Sequence, residues 1–255
     1  MSDTRHYRIG LIGHPISHSQ SPELFYRHFA DRPDILARYS YELVEKTTFK
    51  EAYTAFLQDF IAVNVTAPFK TDAFRAADIR DRSALLCQAA NLLVKTPDGV
   101  TAYNTDFEAV HEILRNGFPE PDGKTALIIG CGGAGKAAAA AAATAGLQVI
   151  ICNRTTDKAA AFAEHLSGIG TVTAASMDTL KNSAERAEAV ISTLPGPTDI
   201  VLKTISENPD LFAGKIILEA SYRNPFLQNI PCRKYIPGQT WLRLQAIATY
   251  RLVLP

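Results

Sequence analysis

Residues 125–140 read TALIIGCGGAGKAAAA, and they give the clearest indication of how the second half of the chain folds. The apolar run Thr125–Ile129 predicts a β-strand, and the alanine run after the glycines predicts a helix, because alanine has the highest helix propensity. Between them lies the pattern G-x-G-x-x-G, with glycines at 130, 132 and 135. This pattern between a strand and a helix predicts a dinucleotide-binding loop, and the alternative is a plain glycine turn.

Each glycine has a separate physical task in such a loop. Gly130 permits a tight turn, Gly132 lets backbone N–H groups approach a pyrophosphate, and Gly135 lets the helix pack closely against the sheet. The helix N-terminus adds partial positive charge. The predicted dinucleotide contacts of this loop are Gly130, Gly132, Gly133, Ala134 and Gly135.

The end of the next predicted strand indicates which dinucleotide is bound. An NAD site usually has Asp or Glu about 20 residues further on, where it binds the ribose hydroxyls. This chain instead has Asn153, Arg154 and Thr155 there, with Lys158 one turn later. An arginine can pair with a 2′-phosphate, which a carboxylate would repel. The sequence therefore favours NADP over NAD, the alternative being that Arg154 is a solvated loop residue.

Short apolar runs alternate with helical patterns along almost the whole chain, which indicates an α/β class with parallel sheets. The first half has predicted strands at 7–12, 38–43, 61–65, 91–94 and 101–103, the last two forming a hairpin. The second half has predicted strands at 125–129, 147–152, 171–173, 189–194 and 215–219, and a helix from about 238 to 252 closes the chain. The Gly- and Pro-rich stretch 117–123 is predicted to be a linker.

Charge and cysteine content exclude several classes of protein. The 255 residues carry 26 basic and 26 acidic side chains, a balance that suggests no nucleic-acid or anionic-membrane partner. No run approaches the ~20 apolar residues of a membrane span, and the N-terminus has no apolar signal core. The four scattered cysteines are typical of reduced cytosolic thiols. We expect a cytoplasmic monomer or homodimer without a bound metal.

Several polar residues of the first half follow predicted strands or precede predicted helices. They include the loop from Gly13 to Pro22, Lys70 after the third strand, Asn91 and the triplet Asn104-Thr105-Asp106. In a parallel α/β sheet the loops after strands gather at one edge, where ligands bind. We therefore expect these residues to converge on one small, oxygen-rich ligand.

The motifs that carry these residues resemble those of the shikimate dehydrogenase family. The matching stretches run in family order: GHPISHSQSP (13–22), NVTAPFK (64–70), AANLLV (89–94), YNTD (103–106), GCGGAGKA (130–137), NRT (153–155) and PGQTWLRLQA (237–246). The resemblance implies an NADP-dependent oxidoreductase that interconverts 3-dehydroshikimate and shikimate in aromatic amino-acid biosynthesis. It also implies two α/β domains separated by a cleft: a substrate domain at 1–106 plus 238–255, and a Rossmann-like NADP domain at 107–237.

The resemblance also assigns roles to individual residues. Lys70 and Asp106 would form the catalytic pair, with Lys70 either the proton donor or an electrostatic clamp. The remaining positions would bind the two ligands: the substrate carboxylate by Ser19, Ser21 and Tyr222, the ring hydroxyls by Thr66, Asn91 and Gln245, and the cofactor additionally by Gly238 and Trp241. Trp241 stands where a methionine is common in the family, near the expected position of the nicotinamide.

Simpler roles stay open for several of these residues. Ser21 could be only the N-cap of a helix with Pro22 in its first turn. Thr105 and Glu108 match a capping box, Gln245 could be a packed helix residue, and Tyr222 could be core. The rival functions are a quinate or other polyol-acid dehydrogenase, which could use NAD, and a regulatory relative that binds NADP without turnover.

Overall fold

The computed structural model describes residues 5–255. The chain folds as two compact units. One consists of the described residues up to Thr105 together with Gln245–Pro255, and the other is Asp106–Leu244. The chain crosses between the units at 105/106 and at 244/245, and each point lies inside a helix, whereas the second predicted domain boundary precedes Gly238. The functional domain boundaries therefore stay a prediction.

The first unit is built on a six-stranded sheet. Its strands are β1 (Tyr7–Gly13), β2 (Tyr39–Glu45), β3 (Ala62–Val65), β4 (Ile79–Arg80), β5 (Leu92–Thr96) and β6 (Gly99–Tyr103). They lie in the order β2-β1-β3-β5-β6-β4. β1 pairs in parallel with both β2 and β3, whereas β5 runs antiparallel to β3 and β6. The predicted hairpin is confirmed: the chain reverses at Pro97-Asp98 between β5 and β6, so the sheet contains both parallel and antiparallel pairs.

Helices cover both faces of this sheet. They are α1 (Ser21–His28), α2 (Pro33–Leu36), α3 (Phe49–Asp59), α4 (Lys70–Ala76) and α5 (Arg82–Cys87). One apolar cluster joins Ile12 to Phe56 and Phe60, and another joins Ile9 and Leu11 to aromatic side chains. Because neighbouring strand residues point to opposite faces, the alternation along β1 supplies both layers.

The predicted start of α1 needs correction. Gln20, not Ser21, occupies the N-cap of α1, and no side-chain cap is made there. Ser21 is the first helical residue, so its hydroxyl lies in the first turn. By contrast, the Thr48 side chain caps α3 by accepting from the Glu51 N–H at 3.3 Å. This cap lies at a position that the sequence pattern did not single out.

The second unit contains a six-stranded sheet with parallel pairing throughout. Its strands are β7 (Thr125–Ile129), β8 (Gln148–Asn153), β9 (Val172–Ser176), β10 (Ala189–Ser192), β11 (Ile216–Glu219) and β12 (Lys234–Ile236). Read from one edge, the order is β9-β8-β7-β10-β11-β12. This is the doubly wound order 3-2-1-4-5-6, in which ligands bind where the order reverses. The predicted α/β class and Rossmann-like arrangement are confirmed.

The helices of this unit connect the strands. They are α7 (Gly133–Thr144), α8 (Thr156–His165), α9 (Leu180–Glu185) and α10 (Asp199–Glu207), with most of α6 (Thr105–Gly117) and the first part of α11 (Gly238–Val253). Residues 137–143 of α7 are all buried, because alanine side chains let this helix approach the sheet closely. The predicted linker 117–123 joins α6 to β7 and therefore lies inside this unit.

The glycine loop between β7 and α7 is fixed by close backbone packing. Gly130 has φ +103, a left-handed conformation that other residues rarely adopt. A Cβ on Gly135 would lie 2.2 Å from the Gly130 carbonyl oxygen, so Gly135 has no room for a side chain. A Cβ on Gly132 would meet no heavy atom within 4 Å. The same motif thus contains one glycine required by packing and one that borders open space.

We predict that Gly135→Ala lowers the free energy of unfolding by about 1–3 kcal/mol, because the added methyl group forces α7 away from the loop. Gly132→Ala is the matched control and should change stability little. Thermal and urea unfolding of both variants, followed by circular dichroism, gives the comparison. Equal stability of the two variants would contradict the packing role of Gly135.

Candidate functional site

The predicted site residues fall in both units. The first unit holds Ser19, Ser21, Thr66, Lys70, Asn91 and Gln245. The second holds Asp106, Tyr222, Gly238, Trp241 and the residues of the two nucleotide loops. Lys70 and Asp106, the predicted catalytic pair, therefore belong to different units.

Two serine hydroxyls meet at the start of α1. The Ser19 hydroxyl donates to Ser21 Oγ at 3.2 Å, and the Ser21 backbone N–H donates to Ser19 Oγ at 3.3 Å. Ser21 is buried and Ser19 is half-buried. Hydroxyl donors beside a helix N-terminus favour an anion, because the unpaired N–H groups carry partial positive charge. This pair can therefore bind a carboxylate.

A buried tyrosine is hydrogen-bonded to the centre of the sheet. Tyr41 lies on β2, and its hydroxyl donates to Asn64 Oδ1 at 2.8 Å. Burial raises the pKa of Tyr41 far above its usual value, so the phenol stays protonated and keeps donating. Asn64, on β3, in turn donates to Thr249 Oγ1 at 2.9 Å. The C-terminal helix is thereby tied to the centre of the sheet.

Asn91 and Thr105 extend the buried hydrogen-bond network that contains Tyr41, Asn64 and Thr249. Asn91 Nδ2 donates to Thr105 Oγ1 at 2.9 Å, and Asn91 Oδ1 accepts from the Thr105 backbone N–H at 2.6 Å. Thr105 Oγ1 lies 3.3 Å from Thr249 Oγ1 and 3.4 Å from Gln245 Oε1. Thr105 is the first residue of α6, and its hydroxyl faces these side chains, whereas the capping box with Glu108 stays a prediction.

Thr66 and Lys70 follow β3 beside the same network. Val65 donates to the Asn91 carbonyl at 2.8 Å, and Ala90 donates to the Lys70 carbonyl at 2.9 Å. Both Thr66 and the Lys70 side chain are half-buried. The backbones of Thr66, Lys70 and Asn91 thus lie near one another at the carboxyl end of β3.

The network also contains residues that the sequence analysis missed. Tyr41, Asn64 and Thr249 were not predicted as site residues, although their buried side chains are joined by hydrogen bonds to Asn91 and Thr105. A signal did exist for Thr249, because it lies four residues after Gln245 and therefore on the same helix face. Asn64 lies within the NVT motif that provided Thr66.

In the second unit, the glycine loop is joined to the end of β8. The Gly130 N–H donates to the Cys152 carbonyl at 2.9 Å, and the Cys131 N–H donates to Asn153 Oδ1 at 3.1 Å. Burial raises the pKa of the Cys131 thiol, so it stays neutral and adds no negative charge to a site meant for a pyrophosphate. The Asn153 amide nitrogen, Nδ2, donates to the Thr155 carbonyl at 2.9 Å.

Through these two bonds Asn153 joins the glycine loop (130–135) to the loop that follows β8. Arg154, Thr155 and Lys158 are exposed beside it, and Thr155 is the N-cap of α8. Two cationic side chains at a helix N-terminus favour an anionic group. The arrangement can hold a phosphate next to the ribose end of a dinucleotide.

The loop after β11 carries Tyr222 and is held by a buried carboxylate. Glu219 is fully buried and accepts from the Phe226 N–H at 2.8 Å and from the Tyr235 hydroxyl at 2.7 Å. Tyr222 itself is half-buried. A Cβ on Gly238 would lie 2.6 Å from the Ala220 carbonyl oxygen, so Gly238 lets α11 start against this loop.

Asp106 and Trp241 are in direct contact. The Trp241 indole N–H donates to Asp106 Oδ1 at 2.9 Å, and Trp241 and Asp106 are 4% and 7% exposed, respectively. Each lies in the first turn of a helix, α6 for Asp106 and α11 for Trp241. The structure thus pairs a predicted catalytic residue with a predicted cofactor contact.

Residues 5–255 contain no group of three or more His, Cys, Asp and Glu side chains that is placed to hold a metal ion. The helices described are all too short or too polar to span a bilayer.

Family comparisons agree with the two units. Residues 11–93 match the family described as shikimate dehydrogenase substrate binding domain, and residues 112–210 match the family described as shikimate / quinate 5-dehydrogenase.

Curated relatives give the same result. The shikimate dehydrogenase (NADP(+)) of Dinoroseobacter shibae is 36% identical over 94% of this chain and 82% of its own length. That of Pseudoalteromonas atlantica is 37% identical over 68% of this chain, and the match spans 64% of the relative, slightly under two thirds.

A solved structure supports both the fold and the family. The shikimate 5-dehydrogenase of Thermus thermophilus, in complex with NADP(H) and shikimate, superposes with a TM-score of 0.77 at 26% identity. The superposition covers 96% of this chain and 92% of that one. The resemblance given by the sequence motifs is confirmed: the chain belongs to the shikimate dehydrogenase family.

Proposed function

We propose that this protein is a shikimate dehydrogenase, which reduces 3-dehydroshikimate to shikimate with NADPH and catalyses the reverse oxidation. The observation that carries the proposal is the buried network in the first unit, which holds Asn91, Thr105 and Gln245 together with hydroxyl and amide groups. Uncharged donors and acceptors of this kind suit a polyhydroxylated ring. Family membership supports the same substrate.

The serine pair is proposed to bind the carboxylate of this substrate. Ser19 and Ser21 offer hydroxyl donors at the N-terminus of α1, where a negative charge is stabilised. Tyr222, in the loop held by Glu219, is proposed as a further donor. Thr66 is proposed to join Asn91 and Gln245 in binding ring hydroxyls.

The residues of the second unit fit an NADP cofactor. The open space beside Gly132 leaves room for a pyrophosphate, and Arg154 and Lys158 can pair with a 2′-phosphate. NADPH, when bound, supplies the hydride that adds to the C3 carbonyl of 3-dehydroshikimate.

Lys70 and Asp106 are proposed to stabilise the charge that develops during the reduction and to manage the proton that the product gains. Negative charge develops on the carbonyl oxygen as the carbonyl is reduced, and the Lys70 ammonium is proposed to stabilise it. Lys70 acts either as the proton donor or as an electrostatic clamp, and Asp106 is proposed as the second member of the catalytic pair.

One assay distinguishes the proposed function from its alternatives. Oxidation of shikimate and of quinate is measured in parallel with NADP+ and with NAD+, because the family description names both acids. Reduction of NADP+ by quinate alone would favour the polyol-acid alternative. Binding of NADP+ without oxidation of either acid would favour a regulatory protein. The cytoplasmic location and the monomeric or homodimeric state stay predictions.

Lys70→Ala is expected to lower kcat for shikimate oxidation by roughly 10²–10⁴, because a positioned acid–base or charge-stabilising group is lost. The Kd for NADP+, measured by calorimetry, should stay within about twofold because Lys70 lies in the other unit. Lys50→Ala, an exposed lysine at the start of α3, is the matched control. Full activity of Lys70→Ala would contradict its catalytic role.

Lys70→Arg separates the two roles of the lysine. Arginine keeps the positive charge but does not give up its proton in proteins. Activity well above that of Lys70→Ala would assign the clamp role, and activity equal to that of Lys70→Ala would favour the proton donor.

Arg154→Ala is expected to raise the KM for NADP+ by about 10- to 100-fold, because charge-assisted hydrogen bonds to the 2′-phosphate are lost. The KM for NAD+ should change little, since NAD+ lacks that phosphate. Arg186→Ala, an exposed arginine at the end of α9, serves as the control. A parallel rise of both KM values would indicate that Arg154 does not read the 2′-phosphate.

A further inference from the structure

Trp241 and Asp106 are joined by a hydrogen bond that the proposed cofactor contact of Trp241 does not explain. Trp241 is the one tryptophan in the sequence, and its ring is buried. Its indole N–H donates to a carboxylate oxygen of Asp106 at 2.9 Å, across 135 residues of sequence. The two residues begin separate helices, so the bond is not a by-product of local chain geometry.

The chemistry of the two groups makes this bond directional. An indole N–H is a donor only, and when buried it needs an acceptor. A carboxylate accepts through either oxygen, and a bond to an ionised acceptor is stronger than one between neutral groups. Because the carboxylate is planar, fixing Oδ1 against the rigid indole ring also fixes the direction of Oδ2.

We infer that Trp241 is a positioning residue that orients the Asp106 carboxylate for its part in hydride transfer. The inference rests on the proposed function, because it gives Trp241 a role through Asp106 in the shikimate reaction. It differs from a cofactor contact, in which Trp241 would act by touching the nicotinamide. It also differs from a purely structural tie, in which the bond would only join the starts of α6 and α11.

A double-mutant cycle distinguishes these roles. Trp241→Phe keeps an aromatic ring but removes the N–H, and Asp106→Asn removes the charge of the acceptor. Trp241→Phe should lower kcat about tenfold, which corresponds to about 1.4 kcal/mol, while the KM for NADP+ stays within about twofold. In the Asp106→Asn background the same change should lower kcat less than about twofold, because the two residues act as a unit.

Two results would overturn the inference. An equal loss of kcat in both backgrounds would mean that Trp241 acts independently of Asp106, and unchanged kcat in Trp241→Phe would mean that the bond has no catalytic effect. If Trp241→Phe does not fold, replacement of Trp241 by benzothienylalanine removes the N–H and keeps the shape of the ring. The same outcomes then apply to that variant.

A spectroscopic measurement keeps this test separate from the proposed function. In protein labelled with ¹⁵N-tryptophan, the single indole N–H gives one resonance, which should shift on Asp106→Asn and stay unchanged on Glu112→Gln, an exposed residue of the same helix. Absence of shikimate turnover in the wild-type protein, with this shift present, would refute the proposed function and the catalytic role while retaining the contact. Absence of the shift would refute the contact itself.

Discussion

The first unit depends on one constraint: buried polar side chains beside its sheet must all find hydrogen-bond partners. Asn64 on β3 meets this requirement by bonding to Tyr41 and to Thr249, which lies 185 residues further along the chain. A buried amide without a partner would cost about 1–3 kcal/mol, so the C-terminal helix is needed to complete the unit. Asn64 also donates to the Asn91 carbonyl at 3.2 Å, so this network reaches a residue that is proposed to bind substrate. Folding and the proposed substrate binding therefore use one network.

The second unit depends on a steric constraint rather than a polar one. The strand order reverses between β7 and β10, and the glycine loop lies at this switch point. Gly130 supplies a left-handed turn and Gly135 lets α7 approach the Gly130 carbonyl, while Gly132 leaves open space. Asn153 then joins this loop to the basic residues after β8. Backbone packing thus prepares the place where a dinucleotide would bind.

Local features of both units could be predicted from the sequence, whereas distant pairings could not. Strand β7 was predicted with its observed bounds, because an apolar run and a glycine motif are local signals. The strands β4 and β12 were missed because two or three residues carry no clear periodicity. Asp106 and Trp241 were each singled out, but their hydrogen bond joins positions 135 residues apart, which spacing cannot show. The link from Thr249 to Asn64 was missed for the same reason.

Direct hydride transfer is tested by following the transferred hydrogen itself. The purified protein is incubated with 3-dehydroshikimate and NADPH that carries deuterium at both C4 positions, and the product is examined by mass spectrometry and proton NMR. We predict shikimate with a single deuterium on C3, because the hydride passes directly to the former carbonyl carbon. Shikimate without deuterium, or no shikimate at all, would contradict the claim that this chain is a hydride-transferring enzyme.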